Sequence, residues 1–131
     1  MVDSTDILDY GCGKSTLQQQ LPFKIQQYDP AVPKYSTLPD PADIVVCTDV
    51  LEHIEPDNLG NVLLHIHSLA KKAAFLVIAT RPAKKILEDG RNAHLIVKDM
   101  VWWLGALKEC GFYVHMVQNK NDQEFKVICL K

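Results

Sequence analysis

Two closely spaced glycines after a charged strand end have the types and spacing that could admit a nucleotide-like ligand. Residues 6–16 read D-I-L-D-Y-G-C-G-K-S-T, and Asp9 closes a short apolar strand. Gly11, Cys12 and Gly13 then form a predicted tight turn that leads into a helix. Bare main chain at such a turn lets a ligand approach closely, and the free N–H groups of the helix start can face it.

A second acid, Asp29, lies sixteen residues after Gly13, at the end of the next strand-like segment. This separation is close to the roughly 20 residues at which an acid after the second strand holds a ribose in nucleotide-binding α/β folds. A carboxylate can accept hydrogen bonds from both sugar hydroxyls, so the position favours a nucleoside. Because Pro30 comes next, Asp29 is equally typical of a residue that starts a turn.

Two familiar phosphate-binding patterns fail at this turn. The phosphate loop needs a glycine five residues before Gly13, and Leu8 stands there inside the strand. The dinucleotide pattern G-x-G-x-x-G fails because Thr16 replaces its third glycine. A phosphate-binding NTPase, which also lacks a convincing magnesium acid, is therefore a weakened hypothesis.

A second string with chemical content follows a buried strand. Residues 43–47 (D-I-V-V-C) form a continuous apolar run bounded by charge, which is typical of a parallel strand covered on both faces. The chain continues as T-D-V-L-E-H-I over residues 48–54. Open parallel sheets bind ligands at the carboxyl ends of their strands, so we expect residues 48–54 to lie beside the glycine turn.

These two stretches together resemble class I S-adenosylmethionine-dependent methyltransferases. Asp9, Gly11 and Gly13 match the family's motif I, an acid, one residue and then G-x-G, whereas Ser15 replaces its common third glycine. Residues 48–54 resemble the family's post-strand segment D-x-L-E-H-I. The chain looks like a compact member, of the kind that viruses and bacteria encode. The resemblance implies S-adenosyl-L-methionine as cofactor, bound by Asp9, Gly11, Cys12, Gly13, Asp29, Thr48, Asp49 and Val50.

The resemblance also implies methyl transfer to an acceptor that the sequence does not identify. Asp9 would order the turn and the cofactor's amino group, Asp29 would hold its ribose, and Asp49 would border its methionine moiety. A sulfonium methyl is already electrophilic, so the protein contributes mainly by aligning the acceptor. A general base is needed only where that acceptor is a hydroxyl or a protonated amine.

Two histidines are candidate catalytic bases, because imidazole titrates near neutral pH. His53 ends the post-strand segment, where it can equally cap the loop structurally. His94 lies in the polar loop 81–97, whose Arg81 and Arg91 are candidates, with His94, for binding the substrate. The alternative is a loop that is tied down by its own hydrogen bonds.

Composition restricts the remaining classes. The 131 residues predict one domain, residues 1–131, and the formal net charge of −2 gives no field that would attract nucleic acid or an anionic membrane. No apolar run is long enough to span a bilayer. No metal site is expected, because the four cysteines lack ligand spacing and His65 and His67 lie two apart on a helix. The cysteines are far apart in the sequence and lie mostly in apolar segments, which favours reduced thiols and a cytoplasmic location.

The order of elements predicts an α/β fold: a single Rossmann-like domain with a mostly parallel sheet, helices on both faces and a C-terminal antiparallel hairpin. After the first strand, the predicted strands are 23–28, 43–47, 73–80, 112–118 and 124–130, and helices start at residues 14, 56 and 99. Residues 84–88 are expected to add a helical turn inside the polar loop.

Residues 31–42 contain three prolines and no apolar period, so an irregular connection is predicted where the family has a helix and a third strand. Adenine would then be walled by this connection, through Tyr35 or Leu38. The missing strand leaves an unpaired sheet edge, which invites a homodimer. It also keeps open a second function, a non-catalytic S-adenosylmethionine- or S-adenosylhomocysteine-binding module or subunit that needs a partner.

Overall fold

A computed structural model describes residues 4–131 and contains one six-stranded sheet in the order β2-β1-β3-β4-β6-β5. Its strands are β1 (Ile7–Tyr10), β2 (Gln26–Tyr28), β3 (Ala42–Thr48), β4 (Ala70–Ala79), β5 (Tyr113–Lys120) and β6 (Glu124–Leu130), and its helices are α1 (Thr16–Gln20), α2 (Leu59–Leu69) and α3 (Met100–Glu109). The pairs β1–β2, β1–β3 and β3–β4 are parallel, and the hairpin β5–β6 joins β4 antiparallel. This arrangement confirms the predicted fold class.

The core lies on one face of the sheet. Leu8, Val45, Ala74 and Cys129 form a buried row across β1, β3, β4 and β6. The helices α2 and α3 bury an apolar stripe in the same cluster, consisting of Leu59, Leu63, Ile66, Leu69, Trp103 and Leu107. Right-handed crossovers that leave β1 and β3 in opposite directions place α1 on the other face. That face is thinly covered, because the five-residue α1 buries no side chain.

Both ends of the segment between β1 and β2 differ from the predicted bounds. Ser15 has a φ of 64°, so α1 begins at Thr16 rather than at Lys14. The strand β2 begins at Gln26 rather than at residue 23, because the Gln18 side chain takes the main-chain groups that a strand would use. The Gln18 side chain donates to the Phe23 carbonyl at 2.9 Å and accepts from the main-chain N–H of Ile25 at 2.8 Å.

The connection after β2 is irregular, as predicted, and contains only a short 3-10 turn at Pro33–Tyr35 within residues 31–41. No strand pairs with the outer side of β2 in the described part of the chain, so β2 is a sheet edge. The Gln26 side chain exchanges two hydrogen bonds of 3.2 Å with the main chain of Asp40. The connection therefore runs alongside this short edge and is fastened to it.

The predicted helical turn at residues 84–88 is wrong. Ile86 instead forms an antiparallel bridge with Asn92, and the main-chain N–H of Leu87 donates to the Arg91 carbonyl at 2.8 Å. Gly90, with a φ of 89°, closes the tight turn between these two arms. The loop is therefore a small hairpin-like structure.

None of the helices in residues 4–131 is long and apolar enough to cross a membrane.

Candidate functional site

The glycine turn lies at the carboxyl end of β1, where the main chain of β2 closes it. The N–H groups of Gly11 and Cys12 both donate to the Tyr28 carbonyl, at 2.7 and 3.1 Å. Gly11 has a φ of 85°, and a Cβ there would lie 2.4 Å from Cγ2 of Val50. Gly13 has a φ of 52°, but a Cβ there would meet no described atom within 4 Å. Gly11 therefore has no room for a side chain, whereas the space beside Gly13 is open.

Asp29 is bound directly to this turn. Its Oδ2 accepts a hydrogen bond from the Gly13 N–H at 3.0 Å, and its Oδ1 accepts from the Ala31 N–H at 2.9 Å. The residue is half-buried, and a carboxylate has about four acceptor positions. Each oxygen therefore keeps a lone pair that could accept a hydrogen bond from a sugar hydroxyl.

Asp9 is a buried acid without a hydrogen-bond partner among the described residues. Burial, and after it the charge of Asp29, together raise its pKa to about 6. The Cys12 thiol between these acids is also buried, and desolvation followed by the two carboxylates raises its pKa. An uncompensated acid at the base of the turn favours a cationic ligand group, whereas the neutral thiol contributes only apolar surface.

The post-strand segment brings its first three residues to the same edge of the sheet. Thr48 ends β3 opposite Val77 of β4, and the Asp49 N–H donates to the Val77 carbonyl at 3.0 Å. Asp49 is exposed and has a φ of 58°, a conformation that costs a non-glycine residue about 1–2 kcal/mol. Val50 then packs against Gly11. This turn therefore fastens the end of β3 to the glycine turn.

Tyr35 and Leu38 line a cavity of about 550 Å³ whose other walls include residues 5–7 at the start of β1 and residues 24–27 at the start of β2. The cavity thus lies alongside the β2 edge and not over the glycine turn. The Tyr35 carbonyl accepts from the Asp29 N–H at 2.9 Å, so the connection still reaches the site through its main chain. The adenine wall stays a prediction.

The two histidine candidates lie side by side, although 41 positions separate them. The centroids of the His53 and His94 rings are 4.8 Å apart at an interplanar angle of 81°. Nδ1 of His53 lies 2.9 Å from the Ala93 carbonyl oxygen, and Nδ1 of His94 lies 2.5 Å from that of Arg81. His53 is exposed and His94 is buried.

The polar loop is held in place by its own side chains. The Asn92 side chain accepts from the N–H groups of Ala83 and His94, each at 2.9 Å, and donates to the Ala83 carbonyl at 2.9 Å. Arg91 makes a bidentate contact with Glu55 at 2.8 and 2.9 Å, and a third with Asp89 at 2.8 Å. The Arg91 guanidinium is therefore already engaged, and binding an anionic substrate would require it to exchange a carboxylate.

Sequence reasoning did not identify Glu52, which is fully buried next to His53. Both of its carboxyl oxygens lack a hydrogen-bond partner among the described residues. Burial raises the pKa of Glu52, and the nearby main-chain N–H groups of Glu52 and Ala79 offset only part of that rise. The available signal was an acid directly after the buried Leu51 in the string V-L-E-H-I. Asn92, which positions His94, was likewise not singled out.

Comparison with known proteins gives a family and a fold. A family described as a methyltransferase domain matches residues 2–120. No functionally curated protein matches the sequence.

Three solved structures illustrate the likeness of fold. The DhpI–SAH complex has a TM-score of 0.73 at 15% identity, covering 95% of this chain and 75% of that one. Magnesium protoporphyrin IX methyltransferase from Synechocystis PCC 6803 with bound SAH has a TM-score of 0.66 at 16% identity, covering 96% and 73%. An O-methyltransferase family protein from Burkholderia thailandensis has a TM-score of 0.69 at 15% identity, covering 95% and 50%.

Proposed function

This chain belongs to the methyltransferase-domain family, as its resemblance to class I enzymes predicted, and on that premise we propose that it transfers a methyl group from S-adenosyl-L-methionine to an acceptor still to be identified. Membership of this family confirms S-adenosyl-L-methionine as the expected cofactor. The identity of the binding residues, the acceptor and the turnover of this chain are proposals.

The observation that carries the proposal is the contact of Asp29 with the glycine turn. Its carboxylate is 3.0 Å from the Gly13 N–H, beside an open space, where it can hold the ribose hydroxyls of a nucleoside. Asp9 lies next to this carboxylate and lacks a cationic partner, so it suits the amino group of the cofactor's methionine moiety. Cys12, Thr48 and Val50 would complete the surface under the cofactor.

Catalysis would depend chiefly on alignment. Holding an acceptor in line with the carbon–sulfur bond can supply up to about 7–11 kcal/mol of the barrier. For an acceptor that must lose a proton, His53 and His94 are the proposed bases, because their Nδ1 atoms face carbonyl oxygens and their Nε2 atoms keep a lone pair. Asp49 would lie beside the sulfonium end of the cofactor.

The acceptor is proposed to enter from the side of β4 and the polar loop. A cavity of about 230 Å³ lies at the end of β4 and is lined by Thr80, Lys98 and Asp99 among others. Arg81 follows Thr80 directly, is exposed, and could attract an anionic group of the substrate, with Arg91 further along the loop.

A second function, a cofactor-binding subunit without turnover of its own, is favoured by the thin cover of one sheet face and by the three-residue edge strand β2. Pairing of sheet edges between two copies would give the homodimer that the missing strand invites. We also propose a reducing, cytoplasmic compartment, because all four cysteines are free and three of them are buried.

The proposal is tested with S-adenosylmethionine that carries a labelled methyl group. The purified chain is first titrated with S-adenosylhomocysteine in a calorimeter and then incubated with acceptor pools of small metabolites, carbohydrates and proteins. We expect tight binding and a labelled product, both reduced in Asp29→Ala. Binding without transfer in every pool would favour the non-catalytic subunit, and binding of ATP with magnesium but not of S-adenosylhomocysteine would overturn both readings.

A further inference from the structure

Three metal-ligating side chains from two distant stretches meet beside the post-strand segment. One ligand atom from each of Glu52, His53 and His94 lies within 4.8 Å of those from the other two. Glu52 and His94 are buried, whereas His53 is exposed. The cluster thus has a closed side made by the protein and one side that solvent reaches.

The hydrogen bonds of both imidazoles define their tautomers. Nδ1 of His53 faces the Ala93 carbonyl and Nδ1 of His94 faces the Arg81 carbonyl. A carbonyl oxygen can only accept, so each Nδ1 must carry a proton, and in the neutral imidazole Nε2 then carries the lone pair. Histidines that bind metals are usually oriented in this way, with the other ring N–H donated to a carbonyl or carboxylate.

The buried carboxyl group of Glu52 is only weakly compensated, by the nearby main-chain N–H groups of Glu52 itself and of Ala79. Neither of its oxygens finds a hydrogen-bond partner within residues 4–131, and no cationic side chain forms an ion pair with it there. A buried carboxylate is retained only when it is paired, protonated or bound to a metal. A cation held between Glu52 and the two imidazoles would satisfy all three side chains at once.

We propose that Glu52, His53 and His94 together bind one divalent transition-metal ion. Two imidazole nitrogens and one carboxylate suit Zn²⁺, Co²⁺ or Fe²⁺, whereas Mg²⁺ prefers oxygen ligands alone. Metal–ligand bonds of about 2.0–2.2 Å place ligand atoms about 3–4 Å apart, so atoms that already lie within 4.8 Å of one another need only a small approach. Three protein ligands leave at least one position open on the side of His53.

The metal site also indicates the acceptor class, and this step rests on the proposed function. An acceptor hydroxyl bound at the open position would have a lowered pKa and would lose its proton to solvent near neutral pH. The oxygen lone pair then forms a bond to the methyl carbon while the carbon–sulfur bond breaks, its electron pair returning to sulfur to give S-adenosylhomocysteine. In this arrangement His53 and His94 act as ligands and no longer as bases.

The site is tested on protein that has been freed of metal by dialysis against a chelator. Titration with ZnCl₂ in a calorimeter should show one bound ion per chain, and CoCl₂ should produce the visible absorption bands of nitrogen-coordinated cobalt. Glu52→Gln and His94→Gln should weaken Zn²⁺ binding at least tenfold. His115→Gln removes an exposed histidine of β5 outside the cluster and should leave the affinity unchanged. If a buried variant fails to fold, His53→Gln at the exposed position replaces it.

The proposal is overturned if the wild-type protein binds no ion, if Glu52→Gln and His53→Gln both bind Zn²⁺ as tightly as the wild type, or if Mg²⁺ binds in preference to Zn²⁺. S-adenosylhomocysteine binding is measured on the same samples. If the wild-type protein binds S-adenosylhomocysteine but no metal ion, only this inference fails. If the wild-type protein binds zinc but not S-adenosylhomocysteine, only the proposed function fails.

Discussion

Two regions at the carboxyl edge of the sheet are built in different ways. The cofactor half, which we define as Asp9, residues 11–13 and Asp29, is fastened mainly by main-chain hydrogen bonds between the ends of β1 and β2. The acceptor half, defined as residues 52–53 and His94, is assembled from side chains that a long loop brings together. The first half is held by the main chain and has open space beside Gly13, whereas the second contains a buried carboxyl group without hydrogen-bond partners among the described residues.

The difference indicates where specificity resides. Main-chain geometry recognises a ligand common to a family, because it depends on few side chains and tolerates substitution around it. The acceptor half depends on particular imidazoles and on loop contacts such as those of Asn92, and it can change with the substrate. Val50 and Leu51 connect the two halves in the chain, since Val50 packs on Gly11 and residue 52 follows.

The largest expected effect belongs to Asp29→Ala. Loss of two charge-assisted hydrogen bonds to the ribose should weaken S-adenosylhomocysteine binding by roughly 100-fold or more. Calorimetry measures the change, with Asp40→Ala, an exposed acid of the same connection, as the matched control. If Asp29→Ala binds S-adenosylhomocysteine as tightly as the wild type, Asp29 does not hold the ribose. The contrast between the two halves then loses its main support.

Gly11→Ala should be the most destabilising change in the cofactor half. The φ of 85° and a Cβ 2.4 Å from Val50 together cost about 2–4 kcal/mol in the free energy of unfolding. Gly13→Ala has a similar φ of 52° but an open neighbourhood, so it should cost only about 1–2 kcal/mol. Urea denaturation compares them, and adding Val50→Ala should recover part of the loss in Gly11→Ala. Equal costs for the two glycines would contradict the close contact with Val50.

The affinity for S-adenosylmethionine should fall as the pH drops through about 6. Asp9 of the free protein has a pKa of about 6, raised by burial and by Asp29. A cationic amino group bound to the carboxylate lowers that pKa, so a proton competes with the ligand. We expect a roughly tenfold loss between pH 7 and pH 5, since one pKa unit corresponds to about 1.4 kcal/mol. Calorimetry across this range measures it, and Asp9→Asn should abolish the pH dependence.

The same group predicts a stability effect of opposite direction. Because the folded pKa of Asp9 lies above the value of 3.8 for an exposed acid, its contribution favours folding at low pH and is lost as pH rises from about 4 to 6. Asp9→Asn should therefore raise the melting temperature of the free protein at pH 7 and change it little at pH 4. A lower melting temperature at pH 7 would contradict the unpaired state of Asp9.

The smallest effect tests whether the halves are independent. Glu52→Gln and His94→Gln should change S-adenosylhomocysteine affinity by less than about threefold, although they remove metal ligands, because in the proposed arrangement neither side chain contacts S-adenosylhomocysteine. Calorimetry with metal-free protein makes the comparison. A tenfold loss in either variant would mean that the segment from Val50 to Glu52 couples the two halves.

Much of the cofactor half could be predicted from the sequence, because its residues lie at strand ends that local patterns define. Asp9 lies in the first strand and the two glycines follow that strand, and the acid before Pro30 directly follows the second strand. Parallel pairing brings such ends to one edge whatever lies between them. The same reasoning predicted the hairpin and the irregular segment after β2, since proline content and turn residues act locally.

The acceptor half and the loop could be decided only by tertiary structure. Residues 84–88 have a sequence that suits a helical turn, yet the hydrogen bonds across Gly90 hold them in a bridge with Asn92. The burial of Glu52 and its meeting with His94 depend on contacts between residues about 40 positions apart. Sequence spacing determined the glycine turn after β1, because that geometry is local. Packing of the loop against the sheet edge determined which polar side chains face each other, because no local rule fixes a long-range contact.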